Sequence, residues 1–361
     1  MNRKLLTVAI AGALAAPMAA QAVNFKISGH INRMVRYADD GAASDIQSLD
    51  NGASRSRMRV KGSADLGNGM KAGLYSEFAL VRQRGSSSAI KTNGTGGPID
   101  IRHSAVWFSG NWGKLTLGHT STAADCADCA AFNTTWMANE ATSPTDWLFG
   151  VGLREDNNNN PVAGKNIGSA WSTIDGTRDA EIRYDTPAFG PAAVAVDIGN
   201  NQKWAAGLKA SGAAGGGKYA FRFGYDARDN ASGFSQYIGS AAYQFSQGTS
   251  IQGGYAVRDF VTAGRSNAKQ WWVMLAHNWG NNGVSVSYAQ SNDLLADGAD
   301  SDSIGVGYNR AFPKAGVDVY AGFQHITFDV NAAAGAGLGL TGTNGIQDVN
   351  AAIVGSRVKF N

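Results

Sequence analysis

Cysteine and proline are scarce in this sequence, whose 361 residues include two cysteines and seven prolines. Two cysteines are too few for a framework of disulfides. No long uncharged apolar run follows residue 22, which excludes membrane-spanning helices, because such a helix needs roughly 20 apolar residues. An excess of one charge is also lacking, since 31 basic residues accompany 28 acidic ones. A nucleic-acid-binding surface therefore gains no support.

The N-terminal segment has the pattern of a signal peptide. Arg3 and Lys4 precede an apolar run over residues 5–16, and Ala20-Gln21-Ala22 supplies small residues for cleavage. We therefore predict that residues 1–22 are removed and that residues 23–361 form a single exported domain. A retained helical anchor is disfavoured because the apolar run is too short to cross a bilayer. For an exported chain without spanning helices, a β-barrel is the one remaining way to cross a membrane.

Glycine and aromatic residues are abundant, with 47 Gly, 15 Phe, 11 Tyr and 9 Trp. This composition is typical of many short strands joined by turns, although a soluble β-sandwich or β-helix shares it. Polar and apolar residues alternate along many segments, as in the last one, where Val354 and Val358 share a face opposite Arg357 and Lys359. A period of two is the pattern of a barrel wall with lipid on one side and water on the other.

Counting such segments predicts an all-β fold, a transmembrane antiparallel β-barrel of sixteen strands. We expect strands near 23–37, 54–66, 70–82, 100–109, 114–120, 178–186, 192–198, 202–211, 218–228, 234–245, 250–258, 270–279, 284–291, 302–310, 316–329 and 348–360. The register of 270–279 stays open, because His277 lies on its otherwise apolar face.

Short turns and longer links alternate between these strands, as expected when one barrel end has tight turns and the other has loops. The short set includes 67–69, 111–113 and the Gly-rich 212–217, and the longer set includes 38–53, 83–99, 229–233 and 330–347. The longest link, 121–177, is too long for an idle surface loop. Residues 335–339 loosely resemble a phosphate-binding loop, but no helix pattern follows, so we interpret them as a flexible loop.

The sequence resembles the general porins of Gram-negative outer membranes over its whole length after residue 22. The similarity is carried by Phe25-Lys26-Ile27-Ser28-Gly29, by residues 102–118 (RHSAVWFSGNWGKLTLG) and by the near-terminal Phe360. The chain departs from that family where Asn361 follows the terminal aromatic residue and where His119 replaces the usual arginine. The resemblance implies an outer-membrane location, a homotrimer of sixteen-stranded barrels and a long third loop folded into the pore.

A ladder of cations follows the second predicted strand, where Arg55, Arg57, Arg59 and Lys61 are spaced by two and share one face. Cations cannot face hydrocarbon, since each would cost about 2–4 kcal/mol at the midplane of a barrel wall. We therefore predict that they line the lumen. By the same alternation, Arg36 and Arg102 join them, although such a ladder could also merely solvate a wide barrel.

The long link carries the acidic residues expected opposite this wall. We select Asp125, Asp128, Glu140 and Asp146, of which the last two lie where the chain is most similar to the porin constriction segment. Acids on the loop and arginines on the wall would create a field across the narrowest section. A solvated acidic loop is the alternative for each single residue.

Cys126 and Cys129 have the C-x-x-C spacing of a redox pair, half a metal site or a disulfide-closed turn. In an exported protein a local disulfide is favoured. We predict no metal and no cofactor. No G-x-S-x-G motif is present, so we predict no enzyme, although barrel lipases keep that alternative open.

The predicted function is a water-filled channel for passive diffusion of small hydrophilic solutes and ions, with a weak preference for anions. Its partners would be outer-membrane lipid and two further copies of the chain. The main alternative is a substrate-selective channel for sugars or organic anions. Aromatic residues of the long link, Phe132, Trp136, Trp147, Phe149 and Trp171, could then stack on sugar rings or simply pack the loop. An adhesive or structural barrel is a third possibility.

Overall fold

A computed structural model describes residues 23–82, 88–91, 95–140, 146–228, 233–341 and 345–361. The predicted signal peptide, residues 1–22, lies outside the described residues. So do parts of the predicted links at 83–99, 121–177, 229–233 and 330–347.

The described chain is built almost entirely of strands. They are β1 (Asn24–Asp39), β2 (Ser44–Asp50), β3 (Arg57–Gly67), β4 (Met70–Arg82), β5 (Thr95–Gly110), β6 (Gly113–Ser121), β7 (Gly152–Arg154), β8 (Pro161–Asn166), β9 (Arg178–Asp185), β10 (Ala192–Gly199), β11 (Trp204–Ala214), β12 (Gly217–Ala227), β13 (Phe234–Gln244), β14 (Thr249–Phe260), β15 (Ala268–Trp279), β16 (Asn282–Asn292), β17 (Ala299–Phe312), β18 (Val317–Val330) and β19 (Val349–Phe360).

The large sheet closes into a sixteen-stranded antiparallel barrel, which confirms the predicted fold class. Closure occurs where β1 pairs with β19 as well as with β2 and β3. Ser44–Asp50 lies opposite the second half of β1, and Arg57–Ser63 lies opposite its first half, so β2 and β3 occupy one position in the wall. A single 3₁₀ turn, Gly52–Ser54, separates them. The prediction that residues 38–53 form only a link was therefore wrong.

The two faces of the wall differ as the alternation predicts. On β16, Val284 and Val286 are exposed on the outside, whereas Ser285 and Ser287, which alternate with them, are buried. The outer face is thus apolar and the inner face polar, as required of a barrel that separates lipid from water.

Strand β15 has the register that the sequence left open. Val273 and Leu275 are exposed, while Met274 and Ala276 are buried. His277 therefore lies on the outer face, where Nδ1 is 2.9 Å from the hydroxyl oxygen of Thr249. Its position near the strand end and its stacking on Trp279 keep it close to the membrane boundary.

The links contain more regular structure than predicted. Strands β7 and β8 form a hairpin within 121–177, followed by the helix α1 (Ile167–Trp171). A second helix, α2 (Ala332–Leu338), lies in 330–347, so the interpretation of residues 335–339 as a flexible loop was wrong. Asn331 caps its first turn, and Gly339 ends it with a left-handed conformation that favours glycine. Among the described residues, no helix has the length and apolar character needed to cross a bilayer.

Candidate functional site

The link between β6 and β9, residues 122–177, is called the long loop below. It shares an apolar core with the wall, in which Trp147, Leu148 and Val151 are at most 1 % exposed. The α1 residues Ile167 and Trp171 are buried in the same cluster. The long loop is therefore a packed body, because removing these side chains from water stabilises its conformation.

The long loop forms hydrogen bonds with the polar face of the wall. The backbone N–H of Ala130 donates to the Ser240 hydroxyl of β13 over 3.1 Å. The Asn139 side-chain amide donates to Ser285 of β16 over 3.1 Å. On β17, the Ser301 hydroxyl accepts from the Trp171 indole N–H at 2.8 Å. Small polar residues at alternate positions of the wall thus satisfy polar groups of the long loop that would otherwise be buried without partners.

Glycines on the same face permit close backbone approach. A β-carbon on Gly207 of β11 would overlap the carbonyl oxygen of Ala123, and one on Gly322 of β18 would overlap that of Ala138. The wall can accommodate the long loop at these two points because it has no side chain there.

A carboxylate surrounded by arginines forms the basic part of the wall. Glu77 of β4 is 1 % exposed. Its Oε1 accepts from Arg57 at 3.0 Å and from Arg102 at 2.6 Å. Its Oε2 accepts from Arg59, and also from the Tyr75 hydroxyl at 2.7 Å. Three guanidinium groups around one carboxylate leave this cluster with a net charge of +2.

A cavity of about 620 Å³ separates this wall from the long loop. The arginines that line it are Arg55, Arg57, Arg102, Arg178, Arg228 and Arg258. The acidic residues that line it are Asp125, Asp128, Glu140, Asp146 and Asp175. Acids from the long loop and arginines of the wall are therefore brought together around one space.

Three carboxyl groups of the long loop have raised pKa values. Burial raises the pKa of Glu140 well above its usual range, and the Asp146 and Asp128 carboxylates beside it raise it further. Burial also raises the pKa of Asp175 well above its usual range, with added effects of Asp128 and Asp125. The pKa of Asp146 is raised by burial, although Arg55 and Arg102 oppose this. Each of these groups holds its proton to a higher pH than an exposed carboxyl group.

The structure places three of the predicted wall cations away from this cavity. Arg36 is fully buried, and its guanidinium donates to the carbonyl oxygen of Trp147 at 2.7 Å, so it holds the long loop instead of facing water. Arg59 binds Glu77. The Lys61 ammonium lies 5.1 Å from the centre of the Tyr75 ring, in a separate recess. Arg55 does line the cavity, but it lies in the bend before β3 rather than on the strand.

Sequence reasoning missed Arg178, Arg228, Arg258, Asp175 and the bridging Glu77. Alternation along β4 places Glu77 on the polar face, directly opposite Arg59, and could have identified it as a residue of the basic wall. The three arginines lie at or next to the ends of β9, β12 and β14 that adjoin the longer links. Alternation along the sequence could assign these arginines to the polar face, but only the position of the long loop shows that they line the cavity.

Cys126 and Cys129 form a disulfide that lines the same cavity. The backbone of this turn is held from two sides. The Asp175 carboxylate accepts from the N–H groups of Cys126 and Ala127, and Arg222 of β12 donates to the carbonyl oxygen of Cys126 at 3.2 Å. The beginning of the long loop is thus attached both to its own end and to the wall.

The aromatic residues of the long loop are divided between packing and exposure. Trp147 and Trp171 are buried in the apolar core that the long loop shares with the wall. Phe149 lines the cavity, and Trp136 is partly exposed beneath the guanidinium of Arg357. Two of the five rings considered for sugar stacking are therefore unavailable to a solute.

Comparison with known proteins identifies the type of barrel. A sequence profile described as Gram-negative porin matches residues 6–355. Outer membrane porin protein 32 of Delftia acidovorans is 32% identical over 120 residues, which are 33% of this chain and 31% of that protein. The chain thus aligns with about a third of the length of this relative.

Solved structures share the fold at low sequence identity. The anion-selective porin from Comamonas acidovorans has a TM-score of 0.63 at 16% identity, covering 94% of this chain and 100% of that one. The trimer form of OmpT of Vibrio cholerae has a TM-score of 0.58 at 13% identity, with coverages of 94% and 100%. The outer membrane channel DcaP of Acinetobacter baumannii has a TM-score of 0.59 at 11% identity, with coverages of 94% and 98%.

The closed sixteen-stranded wall, its apolar outer face and the profile match over nearly the whole chain lead to one conclusion, that this protein belongs to the Gram-negative porin family and is located in the outer membrane.

Proposed function

We propose that the protein is a channel that allows passive diffusion of small hydrophilic solutes and ions and is narrowed by the long loop opposite a basic wall. The charged cavity between the long loop and the wall carries this proposal. The long loop is hydrogen-bonded to the polar face, which in a membrane barrel surrounds the lumen. The long loop, attached to that face, would fill part of the cross-section of the lumen, so a solute would pass through the remaining opening.

The charges of the cavity favour anions. Six arginines and five acidic residues line it. Because the pKa values of Glu140 and Asp175 are raised, these two acids lose their charge at a higher pH than ordinary carboxyl groups. When both are protonated, the six guanidinium groups face three carboxylates. An excess of positive charge at a narrow section raises the local concentration of anions and repels cations.

The structural neighbour from Comamonas acidovorans is an anion-selective porin. We propose the same preference here on the charges of this chain, since the likeness at 16% identity concerns the fold.

Reversal potentials in a salt gradient across a planar bilayer test the proposal. Wild-type protein should favour anions, and the double variant Arg57→Gln, Arg102→Gln should shift toward cations because it removes two charges from the cavity wall. Lys218→Gln is the matched control, since Lys218 begins the polar face of β12 far from the cavity lining. Equal reversal potentials for wild type and double variant would contradict the basic constriction.

A substrate-selective channel for organic anions is the second candidate. Arg57 and Arg102 converge on one carboxylate, that of Glu77, and a guanidinium can bind a carboxylate with two parallel hydrogen bonds. Saturable block of single-channel current by a small dicarboxylate, with none by glucose, would favour this candidate. Linear conductance without block would favour a general pore.

We also propose a homotrimer, supported by polar groups on one part of the outer face. Arg33 of β1 lies between the exposed Ile31 and Val35. Its guanidinium donates to a backbone carbonyl oxygen of β2 at 3.2 Å. On β4 and β5, Ser76 lies directly opposite Ser104 on the outer face. A lipid-facing arginine costs about 2–4 kcal/mol at the midplane, so contact with a second copy of the chain suits this face better than hydrocarbon.

Light scattering of the detergent-solubilised protein tests the trimer. We expect three chains per particle for the wild type and dissociation for Arg33→Glu, which places a repelling charge in the interface. Arg310→Glu on the outer face of β17 is the control and should leave the assembly unchanged. A monomeric wild type, or a trimeric Arg33→Glu variant, would argue against this interface.

A further inference from the structure

The disulfide at the cavity is not needed to position the turn that contains it. The backbone N–H of Cys126 donates to the Asp175 carboxyl group, and its carbonyl oxygen accepts from Arg222. The Ser240 hydroxyl donates to the carbonyl oxygen of Ala127 at 2.5 Å. None of these contacts involves a sulfur atom. The turn should therefore keep its place when the disulfide is reduced.

We propose that reduction converts this turn into a binding site for one thiophilic divalent cation, with Cys126, Cys129 and Asp128 as ligands. One ligand atom from each residue, two Sγ atoms and a carboxylate oxygen, lie within 4.8 Å of one another. They are the one such group of three among the described residues. Two cysteines separated by two residues are a common half of a zinc site.

The geometry needs only a small movement of the side chains. In a tetrahedral site with a metal–sulfur distance of about 2.3 Å, the two sulfurs lie roughly 3.8 Å apart. The Cα atoms of Cys126 and Cys129 are 4.9 Å apart, which allows this separation by side-chain rotation alone. The Asp128 carboxylate already lies 3.1 Å from the Cys129 sulfur. The cavity beside the turn leaves room for water as the fourth ligand.

The chemistry is balanced by an added phosphine reductant. The phosphine supplies two electrons, the S–S bond breaks, water supplies two protons to the sulfurs, and the phosphine becomes a phosphine oxide. Metal binding then releases the two thiol protons. The arginines that line the same cavity stabilise the resulting thiolates.

The charge balance makes a specific prediction for the channel. Two thiols and one carboxylate carry a net charge of −1, and so do two thiolates, one carboxylate and a divalent cation. Occupancy should therefore reduce the conductance sterically while leaving the reversal potential unchanged. This effect on current rests on the proposed constriction, whereas metal binding does not.

The full-length protein, reduced in detergent with tris(2-carboxyethyl)phosphine, should be titrated with Cd²⁺. We expect an ultraviolet thiolate-to-metal absorption band that saturates at one Cd²⁺ per chain. The band should be absent from the oxidised protein and from Cys126→Ser, Cys129→Ser, and Asp128→Asn should weaken binding. Circular dichroism and heat-dependent gel mobility would show that each variant is folded.

Absence of the band from reduced wild type, or equal Cd²⁺ binding by the double serine variant, would overturn the site. Parallel bilayer recordings address the constriction separately. Loss of conductance on adding Cd²⁺ to the reduced channel supports both inferences. A bound Cd²⁺ that leaves the conductance unchanged would sustain the metal site and contradict the proposed constriction.

Discussion

Glu77 forms ion pairs with three arginines of the wall, and its replacement by glutamine should change both stability and selectivity. The substitution raises the net charge of the cluster from +2 to +3, because Arg57, Arg59 and Arg102 all remain. It also weakens charge-assisted hydrogen bonds from these arginines, each worth about 1.5–3 kcal/mol. The arginine side chains are 12 % to 29 % exposed, so water compensates part of the loss. We expect the free energy of unfolding to fall by about 2 kcal/mol.

Two measurements check this expectation. The temperature at which half of the protein changes its gel mobility on heating should be lower for Glu77→Gln than for wild type. The reversal potential of the variant should indicate a stronger preference for anions. Glu181→Gln is a matched control, since Glu181 of β9 is equally a buried carboxylate of the polar face, but neither of its oxygens has a hydrogen-bond partner among the described residues. That variant should be as stable as wild type or more so. The reasoning fails if Glu77→Gln leaves both quantities unchanged or if Glu181→Gln is the more destabilised variant.

Three further predictions concern the long loop. Because burial and the neighbouring acids raise the pKa of Glu140, protonation removes its negative charge at a higher pH than for an ordinary carboxyl group. As the pH is lowered, anion preference in bilayer recordings should therefore rise before ordinary carboxyl groups titrate, and it should rise less steeply in Glu140→Gln. Gly322→Val should displace the long loop and change the single-channel conductance, whereas Gly337→Ala, which has open space around it, should leave the conductance as in wild type. Arg36→Met loses the hydrogen bond to the carbonyl oxygen of Trp147, so we expect noisier current and faster proteolysis of the long loop; quiet, protease-resistant channels would contradict a holding role.

The wall was predictable because its pattern is local. Val284, Ser285 and Val286 already show which side chains face lipid, since successive residues of a strand point to opposite faces. The same rule identified Arg57 and Arg102 as residues of the polar face. The rule did not predict β2, which lies within residues 38–53, because its alternating pattern is too short to distinguish it from a link.

The candidate site was only partly predictable. Asp125, Asp128, Glu140 and Asp146 were selected from their place in one long link, and they line the cavity. Asp175 was missed, because nothing near it in the sequence shows that its carboxylate accepts from the backbone at Cys126, 49 residues earlier.

The sequence by itself determined most of the strands and the face of the wall on which most of their residues lie, because these depend on alternation between neighbours. Only the tertiary structure decided which polar residues share one space. Arg36 follows the same alternation as Arg57, yet it is fully buried against a carbonyl oxygen of the long loop, 111 residues away, while Arg57 lines the cavity. Contacts between a packed loop and a distant wall depend on how both fold together, and no local period encodes them.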